Sequence, residues 1–154
     1  MILNASEFEM YREKIKKENS KLVFTNGCFD ILHKGHILYL NEAKSLGDYL
    51  ILGVNSDLSV KKIKGNDRPI NNENDRALLL DNLKAVDFVI VFQEATPYEL
   101  ISKIIPDYLV KGGDWKEEDI IGSDVVTANG GKVVSLQFVK DYSTTGILKK
   151  ITGL

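Results

Sequence analysis

Thr25-Asn26-Gly27-Cys28-Phe29-Asp30-Ile31-Leu32-His33-Lys34-Gly35-His36 joins an apolar run at residues 22–25 to a helical pattern that begins near Gly35. The segment holds both histidines of the chain, three residues apart, at a strand-to-helix turn. A helix starting there directs unpaired N–H groups and a partial positive charge out of its first turn, a natural seat for phosphate. Gly27 and Gly35 remove side-chain bulk where backbone approaches a ligand. His33 and His36 lie about one turn apart and can both face that ligand. Each offers a ring N–H to phosphate oxygens, with a near-neutral pKa that bound polyphosphate moves toward the charged form. Two histidines that are merely neighbours in the core or on the surface are the plain alternative. A two-histidine metal site is a third, but the spacing lacks an accompanying acidic ligand pattern.

On either side of this turn, short β-branched runs alternate with helical patterns. Strands are expected at residues 22–25, 49–54, 88–92, 107–110 and 132–136. Helices are expected at about 6–18, 35–46, 74–85, 97–105, 123–129 and 143–151, with Gly47 as a C-terminal stop and Pro97 in a first turn. The stretch 55–72 reads as a long polar loop, a length that in a compact domain marks function or disorder. Strands this apolar, each separated by a helix, form a parallel sheet covered on both faces. The fold expected is a Rossmann-like three-layer α/β/α sandwich with a five-stranded, mainly parallel sheet. It is one domain over residues 1–154, with a core at about 21–151. Ligands bind such sheets beyond the carboxyl ends of the strands, where strand order reverses. The loops at 26–35, 55–72, 92–96 and 111–115 converge there.

The 154 residues suffice to bury about two thirds of the unfolded surface, and 44% hydrophobic with 27% charged residues is a soluble globular composition. A net charge of −2 supplies no global basic field for nucleic acid or a membrane surface. Apolar runs such as 88–92 are far too short to span a bilayer. The first residues lack the basic start and apolar core of a signal peptide, so a cytoplasmic location is expected. The single cysteine excludes an internal disulfide and a cysteine-based zinc site.

The remaining loops carry charge and hydroxyls. Lys61, Lys62, Lys64 and Arg68 are mobile cations of the kind that close over a triphosphate, although lysines in a polar loop are often just solvated. In Lys111-Gly112-Gly113-Asp114-Trp115, two glycines after a strand let a base lie against backbone, and Trp115 is a lid or a packed aromatic. Ser143-Thr144-Thr145 caps the last helix, and its three hydroxyls also suit phosphate. Cys28 reads as a small hydrophobe rather than a nucleophile, because no activating base is visible. Asp30 reads first as a residue that holds its turn, and second as an indirect partner of magnesium.

Gly27-Cys28-Phe29-Asp30 followed by His33-Lys34-Gly35-His36 resembles the H-x-G-H nucleotidyltransferase superfamily, which includes cytidylyltransferases and adenylyltransferases. Residues 25–40, Asn55-Ser56-Asp57, Lys64-Gly65 with Arg68-Pro69, Lys111 to Asp114 and Ser143 to Thr145 look more closely like the heptose-1-phosphate adenylyltransferases of ADP-heptose synthesis. The likeness spans about 21–151, and the kinase half that accompanies this activity in many bacteria is absent from the sequence. It implies that ATP and a sugar 1-phosphate give an ADP-sugar and pyrophosphate, with Mg2+ accompanying the triphosphate. His33, His36 and Lys64 would be catalytic, stabilising charge during in-line attack by an already ionised phosphate. Asn26, Gly27, Cys28, Phe29, Gly35, Lys61 and Arg68 would join them around the nucleotide. Gly112, Gly113, Asp114, Ser143, Thr144 and Thr145 would frame it. A homodimer is implied. Glycerol-3-phosphate cytidylyltransferases resemble this chain less, because they carry arginine where Phe138 stands and residues 139–142 supply none. A cytidylyltransferase for a polyol or amino-alcohol phosphate is the alternative substrate reading, and a non-catalytic nucleotide-binding module the alternative class. A dinucleotide oxidoreductase is disfavoured, since no G-x-G-x-x-G follows the first strand.

Overall fold

Alternating burial along each strand builds two cores from one sheet. In the computed structural model, which describes residues 1–137 and 142–153, β1 (Leu22–Gly27) turns Leu22 and Phe24 toward one face and Val23 toward the other. All three are completely buried. The other strands are β2 (Tyr49–Asn55), β3 (Phe88–Phe92), β4 (Tyr108–Gly112) and β5 (Lys132–Leu136). They lie in the order β3-β2-β1-β4-β5 and every pairing is parallel. The expected five-stranded sheet is therefore present, wholly parallel, with β1 and β2 running further at their carboxyl ends than the apolar runs alone indicated.

Helices α1 (Ala5–Lys17), α5 (Tyr98–Ile104) and α6 (Ser123–Ala128) cover one face through Phe8, Ile15, Leu100, Ile101 and Val126. Helices α2 (Lys34–Lys44) and α4 (Glu73–Asp81) cover the other through Tyr39, Leu40, Ala43, Ala77 and Leu80. Helix α1 starts at a capping box: the Asn4 side chain accepts from the Glu7 N–H at 2.9 Å, and the Glu7 carboxylate accepts from the Asn4 N–H at 2.7 Å. Residues Met1 to Leu3 lie along β3, with backbone bonds of 2.9 Å between Leu3 and Val89 and between Val89 and Met1. They cover that edge of the sheet. Among the described residues no helix is long and apolar enough to cross a membrane.

Two elements differ from expectation: α4 ends at Asp81 rather than near residue 85, and a further helix stands where a loop was expected. The stretch 55–72 is not a continuous loop, because Asp57–Lys64 forms α3. Ser56 caps it by accepting the Ser59 N–H at 3.2 Å, and Lys61, Lys62 and Lys64 sit in its last turn, where they complement the helix dipole. Only Ser59 and Val60 of the helix are buried, while Leu58 and Ile63 are exposed. At eight residues, about two turns, the helix is too short for its period to stand out from a polar loop. A short 3-10 turn at Glu117–Asp119 was likewise not signalled. The last helix, α7 (Thr144–Ile151), lies in the second described stretch. Phe138 and residues 139–141, on which the comparison with glycerol-3-phosphate enzymes rests, lie outside the described residues.

The chain steps outward from β1 through β2 to β3, then returns to lay β4 against the opposite side of β1. Strand order reverses between β1 and β4, and a cleft opens beyond their carboxyl ends.

Candidate active site

The floor of this cleft is a hydroxyl pair. Thr25 of β1 and Tyr39 of α2, both buried, bond through their hydroxyls at 2.6 Å, and the Gly112 backbone N–H of β4 also reaches Tyr39. Burial pushes the phenol up to about 12, against the pull of those two hydrogen bonds, so Tyr39 stays neutral. Three elements are pinned together where strand order reverses. Above the floor lies a cavity of about 410 Å³, within the usual range for a small-molecule site.

His33 is the N-cap of α2 and His36 stands in its first turn, so both imidazoles reach the cavity. Their rings stack at 3.9 Å between centroids and 25° between planes. The Phe29 ring meets the His36 edge at 5.6 Å. Phe29 adopts a left-handed φ of 48°, which costs a residue with a Cβ about 1 kcal/mol or more. Gly27 accommodates that turn: a Cβ there would come within 3.2 Å of the Phe29 ring. A Cβ on Gly35 would meet the Tyr142 Cβ at 2.9 Å and the His33 ring at 3.0 Å. Both glycines thus make room for side chains that wall the site, whereas the sequence suggested room for ligand.

The imidazoles are less basic than expected. Burial, then the neighbouring His33 and Lys64, push His36 down to about 4. Burial lowers His33 as well. Both are neutral at pH 7. The His36 Nδ1 accepts the His33 backbone N–H at 3.4 Å, which leaves the hydrogen of the neutral ring on Nε2 as a donor. The His33 Nδ1 is buried with no partner among the described residues.

Two arginines and two carboxylates fix the wall. Arg76 of α4 is completely buried; it donates to the Asn71 carbonyl at 3.0 Å, to the Asp57 carboxylate at 2.8 Å and to the Cys28 carbonyl. Asp30, 2% exposed, accepts from Arg68 Nε at 2.7 Å, from the Ile70 N–H at 2.9 Å and from the Asn71 N–H at 2.8 Å. Burial alone would raise the Asp30 pKa. The bonds from Asn71, Ile70 and Arg68, with the Arg68 charge, overcome it and hold the carboxyl below its usual range. Asp30 therefore holds the turn, the role ranked first from sequence.

Asn26, Gly27, Cys28, Phe29, His33, Gly35, His36, Lys64, Gly112 and Ser143 to Thr145 all border the cavity. Ser143 caps α7, accepting the Gly146 N–H at 3.0 Å, so a second helix N-terminus meets the first across the opening. Lys61, Arg68, Gly113 and Asp114 do not border it. Lys61 is exposed on α3, and Arg68 is engaged by Asp30 behind the wall. Gly113, at φ 118°, bonds to the Leu136 carbonyl at 2.8 Å and turns the chain. Trp115 is anchored by its indole N–H to the Gly112 carbonyl at 3.1 Å and stands at the rim of a neighbouring cavity. Sequence reasoning assigned no site role to Tyr39, Lys111 or Tyr142, which also border the main cavity, or to Arg76 behind it. Lys111 was in plain view beside the glycines; nothing in a lone tyrosine or arginine separates floor from core.

This arrangement suits a polyanion. It offers Lys64, Lys111, two neutral ring donors and two helix N-termini, while its one bordering carboxylate, Asp30, is already neutralised. Among the described residues no group of three or more His, Cys, Asp or Glu is arranged to hold a metal ion.

Comparison with known proteins agrees with this geometry. The profile of the family described as Cytidylyltransferase-like matches residues 24–150. Bifunctional protein HldE of a Nitratiruptor species is 52% identical over 150 residues, covering 97% of this chain and 32% of that protein. Bifunctional protein HldE of Aliarcobacter butzleri is 54% identical over 145 residues, covering 94% of this chain and 30% of its own length. The chain thus spans about a third of the length of these curated relatives. The crystal structure of the lipopolysaccharide core biosynthesis protein from Thermoplasma volcanium GSS1 superposes with a TM-score of 0.64 at 35% identity, covering 80% of this chain and 99% of that one.

Proposed function

The chain belongs to the cytidylyltransferase-like family, and on that premise we propose that it is an adenylyltransferase that transfers AMP from ATP to D-glycero-D-manno-heptose 1-phosphate, giving ADP-heptose and pyrophosphate for lipopolysaccharide synthesis. The observation that carries the reading is the stacked His33–His36 pair at the start of α2, facing Lys64 across a cavity at the point of strand reversal. Identity above 50% to two HldE proteins supports the choice of acceptor.

In the reaction, an oxygen of the ionised sugar phosphate forms a bond to the α-phosphorus of ATP. The bond from that phosphorus to the α–β bridging oxygen breaks, and its electron pair leaves with pyrophosphate. No proton has to be removed from the nucleophile, so the site needs no general base. Its work is positioning and charge stabilisation. The His36 Nε2–H donates to phosphate oxygens without carrying a charge of its own until an anion arrives; the anion then raises its pKa. Lys64 supplies the cation. The Asp30–Arg68 and Arg76 ties hold the 28–30 turn that orients both rings. A magnesium ion accompanying ATP would supply charge neutralisation on its phosphates; among the described residues no group of three or more His, Cys, Asp or Glu is arranged to hold it.

The test is pyrophosphate release by purified protein with ATP or CTP against heptose 1-phosphate or glycerol 3-phosphate. Turnover is expected for ATP with heptose 1-phosphate. Turnover with CTP alone, or with no acceptor, sinks the assignment. Light scattering tests the homodimer that accompanies the reading.

A further inference from the structure

Lys111 of β4 borders two cavities at once. Beside the main one lies a second of about 170 Å³, which shares Asn26 and Lys111 with it and is otherwise walled by Pro97, Trp115 and residues 119–121. Lys111 is partly buried, and burial lowers its pKa. Its single hydrogen bond among the described residues is a long one, 3.4 Å, to the neutral Asn26 side chain. By contrast, the part-buried guanidiniums of Arg12 and Arg68 and the buried one of Arg76 each sit on a carboxylate, Asp107, Asp30 and Asp57. A partly buried ammonium with no counter-charge is costly unless an anion completes it.

We propose that Lys111 binds the phosphate of the acceptor, and that the second cavity holds the acceptor's sugar ring against Trp115. This inference rests on the adenylyltransferase reading and names the acceptor's place within it. Trp115 is 51% exposed yet fixed by its indole N–H on Gly112, a rigid aromatic platform of the kind a sugar ring lies against. Asp119, on the same wall, accepts hydrogen bonds from sugar hydroxyls. With the triphosphate over the histidines and the sugar beside Trp115, the two phosphates meet at Lys111, between Asn26 and Gly112. There one acceptor oxygen bonds to the α-phosphorus as the α–β bridge breaks. Lys111 neutralises the approaching charge and passes no proton.

The experiment is steady-state pyrophosphate release, varying heptose 1-phosphate and ATP separately, for wild type, Lys111→Met, Lys111→Gln and Lys111→Arg. Removal of one charged donor should raise KM for heptose 1-phosphate about tenfold or more, leaving KM for ATP within about twofold, with partial recovery in Lys111→Arg. Two neutral variants guard against one that does not fold. In parallel, fluorescence of Trp115, the sole tryptophan, should change when heptose 1-phosphate is added to wild type with a non-hydrolysable ATP analogue. The same change should need about tenfold more ligand in the neutral variants. An unchanged acceptor KM, or a rise in KM for ATP instead, overturns the role of Lys111 while leaving the enzyme assignment intact. Wild type that neither turns over nor binds heptose 1-phosphate overturns both.

Discussion

Asp30→Asn tests the idea that a buried carboxylate holds the histidine turn to the segment after α3. Asp30 receives three donors, Arg68 Nε at 2.7 Å and the N–H groups of Ile70 and Asn71 at 2.9 and 2.8 Å. Asparagine keeps one neutral acceptor and turns an NH2 toward groups that are themselves donors. It also strips the counter-charge from Arg68, whose Nη2 is already buried without a partner among the described residues. Hydrogen bonds to a charged group contribute about 1.5–3 kcal/mol each, and a stranded buried charge costs more. Loss of one bond outright and weakening of the others gives about 3 kcal/mol. Urea unfolding at pH 7 measures it as a lower midpoint at constant slope. The pH dependence adds a signature. The folded Asp30 pKa lies below the unfolded value of about 3.9, so its stabilisation is complete above about pH 4 and lost as pH falls through the folded value. The gap between wild type and variant should therefore narrow below about pH 4. A variant within about 1 kcal/mol of wild type at pH 7 would refute the reasoning.

Other outcomes follow from the same geometry. His33→Ala and His36→Ala should each lower kcat about a hundredfold, the usual effect of removing one preorganised donor, and near-wild-type pyrophosphate release from both would remove the rings from the mechanism. By NMR, His36 should stay neutral down to about pH 4 in nucleotide-free protein and titrate higher once MgATP is bound. Because the unfolded ring takes up its proton near 6.5 and the folded one does not, this residue should make stability fall as pH drops from about 6.5 toward 4. Gly35→Ala should gain up to about 1 kcal/mol of helix propensity, yet its Cβ, 2.9 Å from Tyr142 and 3.0 Å from the His33 ring, should displace that ring and cut turnover about tenfold. Full activity in a folded Gly35→Ala protein would show the ring to be unconstrained.

The sequence determined the alternation of strands and helices by itself, because two-sided burial leaves strands such as Phe88–Phe92 almost wholly apolar. It also singled out His33, Gly35 and His36, which border the cavity, since two histidines and a glycine at a strand-to-helix turn are a local pattern needing no distant partner. Helix α3 was hidden because eight residues, mostly exposed and charged, are too few for a period to stand out from a polar loop. What the tertiary structure alone decided are the long-range partnerships. Arg76 reaches across 48 residues to the Cys28 carbonyl, and Asp30 across 38 to Arg68. The basicity of His36 and the lack of a carboxylate partner for Lys111 among the described residues are of the same kind. Burial and counter-charge set both, and neither is a property of a residue or its chain neighbours; they exist only once separate segments have closed around the same point.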